Sequence, residues 1–472
     1  NELKCTFLVI GGGIAGVSCA ETLVTLASNL NQNIDILLLT ESSLIKSVTN
    51  LISLGKILTR FDIEERSADS LNSQNIRVLE DKMIAINSAG KFIKTESNRI
   101  IKYEFLCVCT GARPKLIEQA KKSSNIIGIR DTESVKEFQK RVKNASKLVI
   151  VGNGGIASEI VYEITGIHVD WVIKDSHITS TFVDAGGAKF FQNRLTEKPE
   201  QKTIIKRMRY SEDLSEGSSS SQRKGAALGP DWHRKVDISG NCDDAENSVN
   251  IHYSTEIQDI QLQENTKHFL KVSLTNHETI ECDFVVSATG VQPTVNNFEC
   301  DCSFKAGPDS GIFVNSMMET SVDGIYAAGD VCYAGWEHAQ HWFQMRLWTQ
   351  ARQMGGMAAR SMFAKYCHEE VYQDFCFELF NHVTQLFGYQ VVLLGRYNGQ
   401  GLNDKYEILL RVTPNLEYIK YILVDGRLQG AILIGETGLE ETTENLILNQ
   451  LDLTPYGDDL LNPNIDIENY FD

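Results

Sequence analysis

Two glycine-rich turns, Gly11-Gly12-Gly13-Ile14-Ala15-Gly16 and Gly152-Asn153-Gly154-Gly155-Ile156-Ala157, begin 141 residues apart, and each directly follows an apolar, strand-like run. Such a turn between strand and helix lets the backbone approach a pyrophosphate and sets its charge at a helix N-terminus, where free N–H groups point. Two turns imply two dinucleotides on one chain. The usual reason to hold both is hydride transfer, with a nicotinamide as donor and a flavin as the station that splits the electron pair.

The elements that must position these turns are legible around them. Residues 6–10 read as a strand, 14–30 as a helix and 34–39 as a continuous apolar strand, the pattern of a parallel sheet buried on both faces. Glu41 follows, where an acidic side chain can accept hydrogen bonds from a ribose diol; the plain alternative is a surface Glu at a strand end. The pattern restarts at residues 147–151, enters a helix near 155–165 and returns as a strand at 169–173. Strands at 105–109 and 284–288 end in Thr110-Gly111-Ala112-Arg113-Pro114 and Thr289-Gly290-Val291-Gln292-Pro293, matching junctions that look like a duplicated plan.

This organisation predicts an α/β fold with two Rossmann-like dinucleotide-binding domains, for FAD and NAD(P), plus an α+β C-terminal domain. Expected boundaries are 1–145 for the first part of the FAD domain, 146–285 for the NAD(P) domain, 286–365 for the second part of the FAD domain and 366–472 for the C-terminal domain. Residues 195–248, with Ser218-Ser219-Ser220-Ser221 and few aliphatics, read as a flexible insertion. Asp425-Gly426 reads as a hairpin turn between strands 418–424 and 428–434, with a helix following at 439–450. The tail to Asp472 is acidic with embedded aromatics, equally suited to docking on the fold or on a partner.

Composition sets outer limits. The chain has 472 residues, 42% hydrophobic, which predicts two or three domains. A net charge of −17 argues against direct nucleic-acid binding, no apolar run approaches a bilayer span, and the first apolar stretch is cut by the glycine turn before it resembles a secretory leader. Eleven cysteines without a secretory signature point to free thiols in a reducing compartment. Cys107 and Cys109 share a strand face and read as sheet packing. Cys300 and Cys302, in a polar loop, are better placed for reactivity; without His or further Cys at ligand spacing, no metal site is expected.

The chain resembles the pyridine nucleotide-disulfide oxidoreductases, two-dinucleotide-fold flavoproteins, over residues 1 to about 365. After the fingerprints, the most specific match is the run from Thr320-Ser321-Val322-Asp323 through Ala327-Ala328-Gly329-Asp330, similar to the family's second flavin motif. The resemblance implies that Asp330 bonds the ribityl chain of FAD. It also implies that the G-x-G-x-x-A-x-E form ending at Glu159 binds NAD(P)H. After strand 169–173 an acidic residue would favour NADH and a basic one NADPH; Lys174-Asp175 supplies both, so the choice stays open. Trp348, with Gln344 and Arg352 at helical spacing, can line the flavin or pack in the core. Lys46 can neutralise the FAD pyrophosphate or stay solvated.

The family's disulfide reductases carry a redox-active cysteine pair, and this chain has neither usual form. Residues 20–106 contain no cysteine, and Lys46-Ser47-Val48-Thr49-Asn50-Leu51-Ile52 occupies the place of one form. No catalytic side chain is therefore assigned, and the expected enzyme is an FAD-dependent NAD(P)H oxidoreductase whose electrons leave directly from flavin to an outside acceptor. A second class stays open: a sensor that reports NAD(P)H occupancy with slow or no turnover. Residues 344–355, 433–437 and 444–450 extend the likeness to one eukaryotic branch across essentially the whole chain. That likeness implies a nuclear and cytoplasmic protein of the oxidative stress response, tied to muscle (sarcomere) integrity and to protection of the tRNA ligase complex.

Overall fold

The computed structural model describes residues 2–30, 34–196, 238–240, 249–263, 268–295, 297–403 and 405–465. Its α-helices are α1 (Ile14–Asn29), α2 (Thr132–Asn144), α3 (Gly155–Glu163), α4 (Ala185–Thr196), α5 (Trp348–Cys367) and α6 (Glu440–Asn449). None is long and apolar enough to cross a membrane.

The first domain is built on a parallel sheet ordered Ile325–Ala327, Phe105–Val108, Phe7–Ile10, Ile36–Thr40, Arg77–Glu80. Phe7–Ile10 and Ile36–Thr40 are buried along their whole length, as the continuous apolar runs predict for a sheet covered on both faces. α1 and α5 pack together, and Gly355 brings them so close that a Cβ there would meet the Ala15 carbonyl oxygen at 2.2 Å. A second sheet, ordered Glu2–Lys4, Ile100–Lys102, Phe92–Thr95, Met83–Asn87, Glu299–Cys300, completes this domain.

The second domain repeats the first. Its parallel sheet runs Ile126–Ile127, Phe284–Ser287, Lys147–Val151, His168–Val172, Val249–His252. The duplication reaches single atoms. Gly11 (φ +119°) and Gly152 (φ +125°) each leave the sheet in a conformation that L side chains avoid. A Cβ on Gly11 would meet the Cys109 carbonyl oxygen at 2.2 Å, and one on Gly152 would meet that of Ala288 at 2.1 Å. Cys109 and Ala288 are the residues just before the two Thr-Gly junctions. The junctions themselves pair as an antiparallel ribbon, Arg113 opposite Gln292.

This ribbon is where the chain crosses between domains, which moves the expected boundary. Strand Ile126–Ile127 belongs to the second sheet, and Val135, Phe138 and Val142 of α2 pack in its core. The chain thus leaves the first domain at Ala112–Pro114, well before residue 145, and returns after Val291–Pro293. Hydrophobic periodicity marks α2 as an element but cannot say which of two similar sheets it covers.

The C-terminal domain is an antiparallel sheet ordered Asn381–Leu386, Tyr389–Gly395, Arg427–Ile434, Glu417–Val424, Glu407–Thr413, with α6 against it. Asp425 (φ 48°) and Gly426 (φ 71°) form its predicted hairpin turn. The domain is wedged between the other two. Tyr389, Tyr418 and Ile434 share a core with Phe190 and Phe191 of α4, while Ile57 and Leu58 from the first domain enter its opposite core. Most of the expected insertion lies outside the described residues. Within it, Ile238 is buried and the Gly240 N–H donates to the Thr165 carbonyl. The tail from residue 466 lies outside them too.

Candidate functional site

A cavity of about 590 Å³ opens where the three domains meet. From the first domain Gly11, Gly13, Ile14, Ala15, Glu41, Thr110, Gly111, Asp330 and Trp348 line it; from the second, Gly155, Ile156 and Glu159. Both glycine turns therefore face one space. Gly13 and Gly154 precede α1 and α3 with no side-chain cap, and among the described residues nothing lies within 4 Å of where a Cβ would stand on either glycine. Uncapped N–H groups beside open space are what an anionic pyrophosphate requires.

The other predicted residues support the cleft without lining it. Gly16 lets α1 close on its strand, since a Cβ there would meet the Gly11 carbonyl oxygen at 1.9 Å. Gly152 (φ +125°) turns the chain off its strand as Gly11 does in the first unit, and Gly290 (φ +99°) turns the chain at the second junction. Lys46 is buried, its Nζ 2.7 Å from Glu65, which also accepts from Thr132 at 2.6 Å; its charge serves this pair rather than the cavity. Lys174 is exposed. Asp175 accepts 2.9 Å from Asn153 Nδ2; burial opposes ionisation, but bonds from Asn153 and Ser180 hold the carboxyl below its ordinary value. Asp175 thus anchors the second glycine turn to the loop after the strand.

Asp330 follows strand Ile325–Ala327 and its flanking Ala328-Gly329, and it lines the cavity. Burial pushes this carboxyl up to about 6, against the pull of Arg346 and Arg130. Arg346 is fixed by donating 2.8 Å to the Asp330 carbonyl and by an ion pair with Asp309. Arg130 also lines the cavity, and among the described residues its buried Nε has no hydrogen-bond partner. A buried guanidinium nitrogen left unpaired is costly, and a ligand anion against this guanidinium would offset that cost. Sequence reading missed both arginines. Neither lies in a glycine motif, and Arg130 precedes α2, which belongs to the other domain.

The third domain supplies His382, Thr384 and Leu386. His382 lies 5.9 Å ring to ring from Trp348 and 6.3 Å from Phe182, which also lines the cavity. Its Nδ1 is 3.2 Å from the Thr349 hydroxyl, and burial lowers its pKa to about 4, keeping the imidazole neutral. Gln344 and Arg352 depart from the predicted flavin face. α5 begins only at Trp348, so Gln344 precedes it and instead bonds the Ala334 N–H and Cys332 carbonyl. Arg352 sits 5.9 Å from the Phe61 ring centroid.

Cys109 lines the cavity beneath the first glycine turn, its Sγ 3.5 Å from that of Cys107. The hydrogen bond with Cys107 and burial hold the Cys109 thiol well above its ordinary value, so it stays protonated. Both cysteines pack in the sheet core, as their spacing predicts. Residues 44–67, which hold no cysteine, form an antiparallel hairpin.

A family model described as pyridine nucleotide-disulphide oxidoreductase matches residues 6–203 and 243–355. The chain belongs to that family. It is 52% identical over 477 residues to the Drosophila melanogaster protein called pyridine nucleotide-disulfide oxidoreductase domain-containing protein 1, covering 99% of each chain. The human protein of that name is 47% identical over 497 residues, with 99% and 98% covered. Among solved structures, a ferredoxin reductase from Rhodopseudomonas palustris superposes with a TM-score of 0.67 at 16% identity, covering 98% of this chain and 99% of that one. Putidaredoxin reductase in its covalent complex with putidaredoxin gives 0.65 at 16% identity, with 97% of each covered. The fold is that of the two-dinucleotide flavoprotein reductases, and the cofactors of this oxidoreductase family are FAD and NAD(P)H. The cleft fits both. The Arg130 guanidinium and the open N-terminus of α1 suit the FAD pyrophosphate, Glu41 a ribose and Asp330 a polyol hydroxyl; the N-terminus of α3 with Glu159 suits the second nucleotide.

Proposed function

We propose that the protein oxidises NAD(P)H through FAD and passes the electrons directly from flavin to an external acceptor, without a protein thiol relay. The observation that carries this reading is the single cavity lined by both glycine turns. The bound nicotinamide would supply hydride and the flavin would receive it. The chain's own residues then bind and position: the two turns receive pyrophosphates, Asp330 orients a hydroxyl chain, and Trp348, His382 and Phe182 exclude water from one end of the cleft. The absence of a relay is supported by the cysteine-free hairpin 44–67 and by the protonated, core-packed Cys109.

Anaerobic mixing of the FAD-loaded protein with NADH or NADPH should bleach the oxidised flavin band, and failure with both reductants overturns this reading. Admitting air then separates the two function classes. Fast reoxidation marks a turning-over oxidase or reductase, and a long-lived reduced complex marks an NAD(P)H-occupancy sensor. The likeness to the eukaryotic branch extends the proposal to a nuclear and cytoplasmic role in the oxidative stress response, with the tRNA ligase complex as the partner protected. Nucleotide-dependent co-purification of that complex is its test.

A further inference from the structure

Cys300 and Cys302 stand outside the cleft and are used by nothing described above. Their sulfurs lie 2.7 Å apart, and the Cys302 N–H also points at Cys300 Sγ, 3.4 Å away. Both side chains are partly exposed, whereas Cys5, Cys19, Cys107, Cys109, Cys282 and Cys332 are buried.

The residue between them holds the pair in place. Asp301 accepts backbone N–H bonds from Ser88 at 2.8 Å and Ala89 at 3.4 Å, while Glu299–Cys300 pairs with Ala85 and Ile86. The C-x-C unit is thus clamped to the second sheet of the first domain on both its backbone and its central side chain. Holding two thiols together costs conformational entropy that a flexible loop would have to lose at the moment of reaction. Here that ordering is built into the fold, and closing from 2.7 Å to the ~2.05 Å of a disulfide needs little movement.

We propose that Cys300 and Cys302 form a reversible intramolecular disulfide on exposure to a peroxide-class oxidant. The Cys302 thiol gives up its proton and the thiolate attacks one peroxide oxygen; the O–O bond breaks, and the departing hydroxide takes up that proton, leaving a sulfenic acid and one water. The Cys300 sulfur then attacks the sulfenyl sulfur; the S–S bond forms, the S–O bond breaks, and the hydroxyl leaves as a second water with the Cys300 proton. Two thiols are oxidised by two electrons and one peroxide is reduced to two waters. Burial and the bond to Cys302 push the Cys300 thiol up to about 12, which makes it a poor first nucleophile toward peroxide.

The position of the pair also says what it is not. Its strand lies beside Met83–Asn87, on the side of the cavity where Met83, Asp81 and Glu41 are found, whereas Trp348 and His382 line the side toward the C-terminal domain. This dithiol is therefore a sensor on the wall next to the Glu41 side of the cleft, linked to it through the lining residues Asn297 and Phe298, and not a flavin relay.

The test uses the full-length, FAD-loaded protein, fully reduced and freed of reductant, with no nicotinamide present, so its outcome is independent of the proposed flavin chemistry. One equivalent of hydrogen peroxide, followed by alkylation and peptide mass mapping, should remove two alkylatable thiols per chain, at 300 and 302, with a mass loss of about 2 Da. Dithiothreitol should restore both. In Cys300→Ser the mass loss should vanish and dimedone should label Cys302 instead. The proposal is overturned if both cysteines stay alkylatable while the peroxide is consumed, or if either pairs with another cysteine or a second chain.

Discussion

Trp348, the first residue of α5, lies 5.9 Å ring to ring from His382, on the first strand of the C-terminal sheet. Through this contact the third domain becomes part of the cleft. Ser/Thr chemistry reinforces it, because the next residue of α5, Thr349, shares a hydrogen bond with the same imidazole.

His382 should make the stability of the fold depend on pH. Its pKa is about 4 in the folded state, below the ~6.5 of an unfolded chain, so the unfolded state takes up the proton first as pH falls. Stability from this group is intact above ~6.5 and declines toward pH 4, by roughly 3 kcal/mol across the window. His382→Gln removes the titrating group. Urea unfolding at about pH 7 and about pH 4.5 should show the wild type losing this much more than the variant, and parallel losses would refute the assignment.

The two backbone glycines should separate the two nucleotides. Ala at Gly11 or Gly152 must adopt a positive φ and meet a carbonyl oxygen at 2.2 or 2.1 Å, a strain of order 1–3 kcal/mol or more at the turn itself. Gly11→Ala should purify without flavin. Gly152→Ala should retain FAD but show at least a ~10-fold weaker response to NADH and NADPH in the reductive titration, a loss of about 1.4 kcal/mol.

Asp330 should trade stability for cofactor affinity. With its folded pKa raised to about 6, the apo-protein is more stable in this group's protonated range and loses that stability as pH rises through 6. Asp330→Asn should therefore raise the neutral-pH thermal stability of the apo-protein, by roughly 1–3 kcal/mol. The same change should weaken FAD binding about 10-fold or more, since a charge-assisted hydrogen bond contributes roughly 1.5–3 kcal/mol. Calorimetry of the apo-protein and flavin fluorescence titration give the two halves independently.

Glu444 should be the strongest single tie between the C-terminal domain and the hairpin 44–67. It is fully buried on α6 and accepts the backbone N–H groups of Lys56, Ile57 and Leu58, with the Leu58 bond at 2.6 Å. Glu444→Gln turns one acceptor into a donor facing those N–H groups and should cost roughly 2–4 kcal/mol. A fall in the thermal midpoint of several degrees is expected, together with earlier proteolysis near residues 54–58. An unchanged midpoint would show the contact to be dispensable.

The sequence by itself determined the local half of this protein. Gly11 and Gly152 announce their turns because only glycine tolerates the close backbone approaches and positive φ found there, and the buried strands announce themselves because both faces of a parallel sheet must be apolar. Asp425-Gly426 announced its hairpin for the same local reason. Tertiary structure alone decided the rest. Lys46 was drawn to Glu65 rather than to the cleft, α2 joined the second sheet rather than the first, and Arg130, Arg346, Phe182 and His382 converged on the cavity from distant segments. None of these four carries a periodic or conformational signature, since a side chain's part in a cleft depends on what the other domains bring opposite it. The paired turns specify two dinucleotide sites; the packing of three domains makes them one cavity.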